Sequence, residues 1–239
     1  MESASHPVVI ITGAAGGLGR ALVNAFTAQG WRVAAAYHSQ TALKESEQVR
    51  PVQVDVTNRV QVREVFEQVE KRWGRIDVLI NNAGVTADRL SWQMEEGDWD
   101  RVLDVNLKGA FLCSQAVLRR MLGRREGHIV NISSFAARHG PRGQAGYAAA
   151  KAGLLGLTES LAREAGSRNV RVNAVLPGLL RTSMTAKLTE DQLNELTEAN
   201  ALRRLNSVEE AARFVVFLAT TQNISGQIFQ LDSRIARWT

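Results

Sequence analysis

Residues 8–12 (VVIIT) run straight into GAAGGLG, and no other stretch of this 239-residue chain restricts its fold so much. Apolar and β-branched residues in a row, without polar alternation, suit a strand covered on both faces, as in a parallel sheet. Parallel neighbours need a crossover, and residues 18–29, stopped by Gly30, have the pattern of the helix that provides it. Between the two, Gly13, Gly16, Gly17 and Gly19 permit a tight turn and a close backbone approach. The helix would then aim its free amides at an anion, as where a dinucleotide pyrophosphate sits on a strand–turn–helix unit.

The alternation continues along the chain. Residues 33–37 read as a second strand, whose end lies about 20 residues past the glycine turn, where an acid would hold the adenosine ribose of NAD. Tyr37, His38 and Ser39 stand there instead. With no carboxylate to repel a 2′-phosphate, NADP(H) is favoured, with His38 and Ser39 as donors to that group; NAD(H) stays open because no lysine or arginine adjoins Tyr37. A third strand is expected over residues 52–56, with Asp55 and Val56 at its end, Asp55 either accepting from an adenine amino group or closing a turn.

Val62, Val65, Phe66, Val69 and Trp73 recur at helical spacing as core, and Gly74 ends their helix. Residues 78–80 form a fourth strand running into Asn81, Asn82, Ala83 and Gly84. A long helix is expected over residues 98–121, and polar Asn106 in its middle implies a distortion or a buried hydrogen-bonding role. Residues 129–132 are a fifth strand delivering Ser133 and Ser134, and residues 170–176 a sixth, broken by Pro177 and Gly178. An open parallel sheet sets such strand ends along one crevice, where ligands bind. The expected fold is therefore α/β: a single-domain, Rossmann-type doubly wound parallel sheet of about seven strands with helices on both faces.

Tyr147 and Lys151 mark the chemistry. They are four apart in an alanine-rich helical segment, so both side chains leave one face, one turn apart. A free phenol titrates near pH ~10, and an ammonium about 4 Å away at an effective dielectric near 20 favours the phenolate by up to ~4 kcal/mol. The expectation is a tyrosine made acidic by its lysine, with Ser134 holding a carbonyl oxygen that the phenol protonates. Interconversion of carbonyl and alcohol is the chemistry implied.

Composition narrows the alternatives. A hydrophobic content of 45% is enough for a sizeable core. The net charge of +5 is dispersed, without the basic stripe and interleaved aromatics of a nucleic-acid binder. His6, His38, His128 and His139 lack ligand spacing, so no metal is expected. Cys113, among apolar helical neighbours, reads as a buried structural thiol. No apolar run reaches the length of a membrane span, and residues 1–7 are short and polar without a signal pattern, so a cytoplasmic protein is expected.

Together these residues resemble the short-chain dehydrogenase/reductase family over essentially the whole chain. Thr12-Gly13-x-x-x-Gly17-x-Gly19, with Leu18 inside it, resembles its cofactor loop, and Asn81-Asn82-Ala83-Gly84 its fourth-strand motif. Asn106, Ser134, Tyr147 and Lys151 match its catalytic tetrad in order and spacing, and Pro177-Gly178 followed by Thr182 resembles the segment that meets the nicotinamide carboxamide. The resemblance implies that Tyr147 protonates the carbonyl and Ser134 orients it. Lys151 would hold the nicotinamide ribose and lower the tyrosine pKa, and Asn106 would support a water in the proton relay.

Within the family, GVTADRL, GQAGYAAAKAGLLGLTESLAREA and RTSMTAKL are most similar to the 3-oxoacyl-acyl-carrier-protein reductases. That likeness implies NADPH-dependent reduction of a 3-oxoacyl thioester, on acidic acyl carrier protein or on CoA, by a homotetramer or homodimer. Arg125 and Arg168 would dock the carrier. Ser183 replaces an acidic residue, Gly16 a basic one, and Leu231-Asp232-Ser233-Arg234 the usual Val-Asp-Gly-Gly, which puts the standard tetramer contacts in question. Residues 181–206, carrying Met184, Leu188, Leu193, Leu196, Leu202 and Leu205, read either as a lid over an acyl chain or as an amphipathic helix packed on the core. Two other functions stay open: action on another ketone or secondary alcohol, and a non-catalytic NADP-sensing regulator, against which the intact tetrad counts.

Overall fold

Val8–Ile11 (β1), Arg32–Tyr37 (β2), Val49–Gln53 (β3), Val78–Asn81 (β4), Gly127–Ile132 (β5), Val170–Leu176 (β6) and Ile228–Gln230 (β7) form one sheet. Their order is β3-β2-β1-β4-β5-β6-β7, and every pair is parallel. The structure is a computed structural model and describes residues 6–39 and 43–235. Most of residues 1–7 therefore lie outside the described residues.

Side-chain alternation sends each strand's residues to two layers. Val9 and Ile11 meet Leu22 and Phe26 of helix α1 (Gly17–Ala28), with Val215 and Leu218 of α8 (Val208–Thr220) in the same layer. Val8 and Ile10 face the other way, into a layer with Phe66 and Val69 of α2 (Arg59–Trp73) and Leu161 of the later helix over Ala145–Ala165. Asn58 starts α2 by accepting from the amides of Val60 and Gln61, and Gly74 ends it at φ 82. Cys113 is buried in the second layer, and burial pushes its thiol up to about 12, as a structural cysteine requires.

Two elements depart from the sequence reading. The third strand is Val49–Gln53 rather than residues 52–56, because its register pairs Val33 with Val49 and Tyr37 with Gln53. Pro51 lies inside it, which an edge strand tolerates. Val54 and Val56 are buried beyond the ladder, so their apolar alternation mimics strand continuation.

The long helix expected over residues 98–121 is three pieces: α3 (Glu96–Leu103), a π-helical turn over Asp104–Lys108, and α4 (Gly109–Arg124). Asn106 sits in the π turn, its Nδ2 donating to the carbonyls of Val102 and Val85, both at 2.8 Å. The side chain supplies a donor for a carbonyl one turn back, which offsets the altered backbone ladder. Both roles expected of Asn106 are thus present.

His128 in β5 is fully buried, and its Nε2 is 2.8 Å from Asn173 Nδ2. Asn173 Oδ1 accepts from the amide of Gln227, so the orientation of its amide is set and Nε2 must accept, which requires a neutral imidazole. Burial first, and the Arg171 guanidinium second, push the imidazole down to about 3. A depressed base contributes stability that is complete above the unfolded value near pH ~6.5 and is lost as pH falls toward 3. Between about pH 7.5 and 4.5 the wild type should lose roughly 3 kcal/mol through this group. Denaturant titrations of His128→Gln, which keeps an acceptor for Asn173, should lack that component; an identical acid slope would show that another group is responsible.

Candidate active site

Chain crossovers leave β1 toward β2 and β3 on one side, while β4 begins the other half, so the crevice opens beyond the carboxyl ends of β1 and β4. Side chains tie these two ends together. Thr12 Oγ1 accepts from the amides of Asn82 and Ala83, each at 3.0 Å, and Asn82 Nδ2 donates to the carbonyls of Thr12 and Gly13. Gly13 has φ 64, and a Cβ on it would lie 2.8 Å from Ala83 Cα, so glycine is required for the two turns to meet. A Cβ on Gly19 would lie 2.7 Å from Ala14 Cα, and one on Gly17 would lie 2.6 Å from the Thr182 methyl. Gly16 caps α1 without a side-chain hydrogen bond, and no acid occupies the first turn. The residues present therefore fit a dinucleotide: a glycine cradle, uncapped amides at Gly17 and Leu18, and the 82–84 turn as its neighbour.

The adenosine end is less completely built. Tyr37 closes β2, with His38 and Ser39 immediately after it. The His38 carbonyl accepts from Gln53 Nε2. Asp55 Oδ1 is committed to a turn, accepting from the amide and the hydroxyl of Thr57, and the Val56 side chain is buried against Gly109. The Asp55 carboxyl lies below its ordinary value: burial works upward, and the Thr57 hydrogen bonds and the nearby His38 outweigh it.

At the other end of the crevice the four residues of the expected tetrad converge. After the short helix α5 (Ala136–His139), helix α6 (Ala145–Ala165) carries Tyr147 and Lys151, and Lys151 Nζ lies 5.6 Å from the Tyr147 ring centroid. Ser134, following β5, sits close enough to the Tyr147 phenol to pull its pKa downward, and its Oγ accepts from the Ala136 amide at 3.2 Å. Lys151 is buried, donates to the Ile132 carbonyl at 2.9 Å, and its own carbonyl accepts from Ser133 Oγ. Asn106 Oδ1 is buried and finds no partner among the described residues. It faces the same point above Gly84 as Lys151 Nζ, at 2.6 and 3.5 Å from where a Gly84 Cβ would stand. An acceptor and an ammonium aimed at one point suit a hydroxyl or a water between them.

The charge balance corrects the sequence reading. Lys151 was expected to make Tyr147 acidic, yet the phenol lies above its ordinary value, because burial outweighs the Ser134 hydrogen bond and the Asp88 carboxylate adds to the upward push. Lys151 is itself brought down to about 8 by burial, so the cation that would stabilise a phenolate is already disfavoured. Sequence spacing brings the pair together but carries no information about desolvation.

Asp88 is a site residue the sequence reading missed; it accepts from Gln144 Nε2 at 3.2 Å, next to the start of α6. Its only sequence signal is a carboxylate in the loop after the fourth strand. Also unforeseen is a buried chain of amides and hydroxyls, Asn81 to Asn131 and Ser114, then Asn131 to Thr158, which braces β4 and β5 from the helix side.

Pro177 and Gly178 follow β6, Gly178 at φ 80, and the Pro177 carbonyl accepts from Asn206 Nδ2. Thr182 reaches back over Gly17, so this segment borders both halves of the crevice. Within residues 181–206, α7 (Glu190–Glu198) buries no residue and Met184 and Leu202 are exposed. Arg125 and Arg168 come together, Arg125 donating to the Ser167 carbonyl and accepting from Asn169. They precede β5 and β6, whereas Ser134 and Pro177 follow them; strands of that length put the two ends on the order of 20 Å apart. The arginines thus lie at the opposite end of the sheet from Tyr147. Among the described residues no helix is long and apolar enough to cross a membrane, and no three His, Cys, Asp or Glu cluster as metal ligands.

A doubly wound sheet with a glycine cradle at its switch point and a Ser–Tyr–Lys group beside it defines a nicotinamide-dependent oxidoreductase. The family model of short chain dehydrogenases matches residues 7–193, and the chain belongs to that family. It is 43% identical to a 3-oxoacyl-[acyl-carrier-protein] reductase FabG of Thermotoga maritima over 94% of this chain and 96% of the relative. It is 39% identical to the 3-oxoacyl-[acyl-carrier-protein] reductase of Synechocystis sp., covering 97% and 98%. With the FabG of Escherichia coli K12 the identity is 36%, covering 90% of each.

Proposed function

We propose that this chain reduces the 3-keto group of an acyl thioester, using NADPH. The observation that carries the reading is the meeting of Ser134, Tyr147, Lys151 and Asn106 at the mouth of a crevice fitted for a dinucleotide. The relatives are 3-oxoacyl-[acyl-carrier-protein] reductases, and this suggests the substrate class. When bound, the reduced nicotinamide supplies the hydride to the ketone carbon. Tyr147 gives its proton to the ketone oxygen, so one hydride and one proton make the alcohol, while Ser134 holds that oxygen. Lys151 and the free Asn106 Oδ1 hold a ribose hydroxyl and a water, through which the phenol regains its proton.

In this reading Thr12, Gly13, Gly17, Leu18 and Gly19 line the pyrophosphate, Asn82 to Gly84 border the cofactor, and Pro177, Gly178 and Thr182 meet the carboxamide. His38 and Ser39 take the 2′-phosphate, and Asp55 and Val56 flank the adenine. Residues 181–206 act as a lid over the acyl chain, supported by the uncovered apolar residues around α7. A carrier docked on Arg125 and Arg168 would present its acyl group to a neighbouring subunit, in keeping with a homotetramer or homodimer. A cytoplasmic location goes with this substrate.

Loss of NADPH absorbance with acetoacetyl-CoA, or with acetoacetyl carrier protein, is the direct test. Turnover of neither substrate would overturn the assignment, and faster turnover with NADH than with NADPH would overturn the cofactor choice.

The raised phenol predicts an asymmetry between directions. A group held above pH ~10 stays protonated through neutrality, so reduction should be flat from about pH 6 to 7.5 and fall only where Lys151 loses its proton near 8. Oxidation of a 3-hydroxyacyl thioester, which needs the phenolate, should climb over the same range. A reduction rate that falls with an apparent pKa near ~7 would instead favour the lysine-acidified tyrosine.

A further inference from the structure

The end of the described chain builds an ion pair hidden from solvent. Asp232 and Arg234 have side chains only 3% and 10% exposed. Arg234 Nε donates to Asp232 Oδ2 at 2.7 Å, with Nη2 on the same oxygen, while Oδ1 accepts from Gln230 Nε2 and the Arg234 amide. The carboxylate is therefore fully occupied within its own turn.

The Arg234 guanidinium lies flat enough to bring Cζ within 3.4 Å of the Phe135 ring centroid. Phe135 is also stacked on His139, centroids 3.9 Å apart and planes 15° apart. Phe135 lies between Ser134 and Ala136 in the chain, and Ser134 Oγ accepts from the Ala136 amide across it, so the seat of the ring and the placement of the serine share one turn. On its other side, Asp232 Cβ fills the space at Gly178, 2.8 Å from where a Cβ would stand. Ser233, between the two, accepts from the amides of Ala201 and Leu202 at the base of the 181–206 segment.

We propose that the Asp232–Arg234 pair is a positioning clamp, which seats the Phe135 ring and the Gly178 turn together and so holds the Ser134 hydroxyl on Tyr147. The inference rests on the reading of Ser134 and Tyr147 as the reacting pair. Arginine is suited to it because a planar guanidinium can stack on a ring while its edge binds a carboxylate; lysine can do only the second.

Three variants test the clamp: Arg234→Ala, Arg234→Lys and Phe135→Leu. Reduction of acetoacetyl-CoA by Arg234→Ala should show kcat lowered about tenfold or more, with methylguanidinium restoring a good part of it and leaving the wild type unaffected. Arg234→Lys should fall between, and Phe135→Leu should add little further loss in the Arg234→Ala background.

A second readout needs no turnover. With Tyr37→Phe as background, ultraviolet titration follows Tyr147 alone, and loss of the Ser134 hydrogen bond should raise its pKa in Arg234→Ala by about half a unit or more. An unchanged titration together with an unchanged kcat overturns the clamp even if thermal stability drops, since a merely structural pair would do that. Should the wild type reduce no thioester, the substrate reading fails while the titration still decides whether Arg234 seats Ser134. If Arg234→Ala does not fold, the same titration in Arg234→Lys decides, an upward shift supporting the clamp and none overturning it.

Discussion

Tyr147→Phe is expected to lower kcat for thioester reduction by roughly 10²–10⁴-fold, the usual range for a positioned general acid. Because the substitution removes only a hydroxyl, the ring keeps its place beside Lys151, and NADPH affinity should change by less than about threefold. Stopped-turnover assays and fluorescence titration of NADPH separate the two effects. The variant should fold with unchanged or nearly unchanged stability, since Ser134 still accepts from the Ala136 amide. Wild-type turnover in Tyr147→Phe would remove the tyrosine from the chemistry, and with it the account of direction and pH.

Lys151→Met should have the second large effect, and it runs in two directions at once. Catalysis should fall by orders of magnitude, because Lys151 is the cation that stands beside the point that Asn106 Oδ1 faces above Gly84. Stability should rise. Burial brings the ammonium from 10.5 to about 8, so the unfolded chain binds this proton more tightly than the folded one. Wild-type stability therefore climbs with pH between about 8 and 10.5, and below pH 8 the fold carries the whole penalty, roughly 3 kcal/mol. Removing the charge relieves that penalty but leaves the Ile132 carbonyl without its donor, which costs about 1 kcal/mol. A net gain of about 2 kcal/mol near pH 7 is expected, with the alkaline climb absent from the variant. Urea unfolding at several pH values measures both; a destabilised variant that keeps the alkaline climb would show that Lys151 is not the strained group. A site that retains an unfavourable buried cation for its chemistry is a common form of the trade between stability and activity.

The order of strands, glycine turns and helices was legible because each signal is short-range. Continuous β-branched runs, the spacing of Val62, Val65, Phe66 and Val69, and glycines after strand ends all act within a few residues. Asn106 shows the limit of such signals: a polar residue inside an apolar helix announced a distortion, but neither the π turn nor the carbonyl of Val85 that it reaches could be read there. The third strand slipped for a related reason. Val54 and Val56 continue an alternating pattern, while the ladder is set by pairing with β2, a partner distant in sequence.

What the sequence determined by itself was the fold class, a crevice along the strand ends, and the pairing of Tyr147 with Lys151 one helical turn apart. Only the tertiary structure decided that Tyr147 is raised rather than made acidic, that the Asp88 carboxylate adds to that push, and that Arg125 and Arg168 lie at the far end of the sheet. It alone brought Arg234 onto Phe135, 99 positions away in the numbering. The reason is physical: periodicity and turn preference are summed over neighbours along the chain. Desolvation, charge balance and stacking are summed over neighbours in space, and those exist only once the chain has closed.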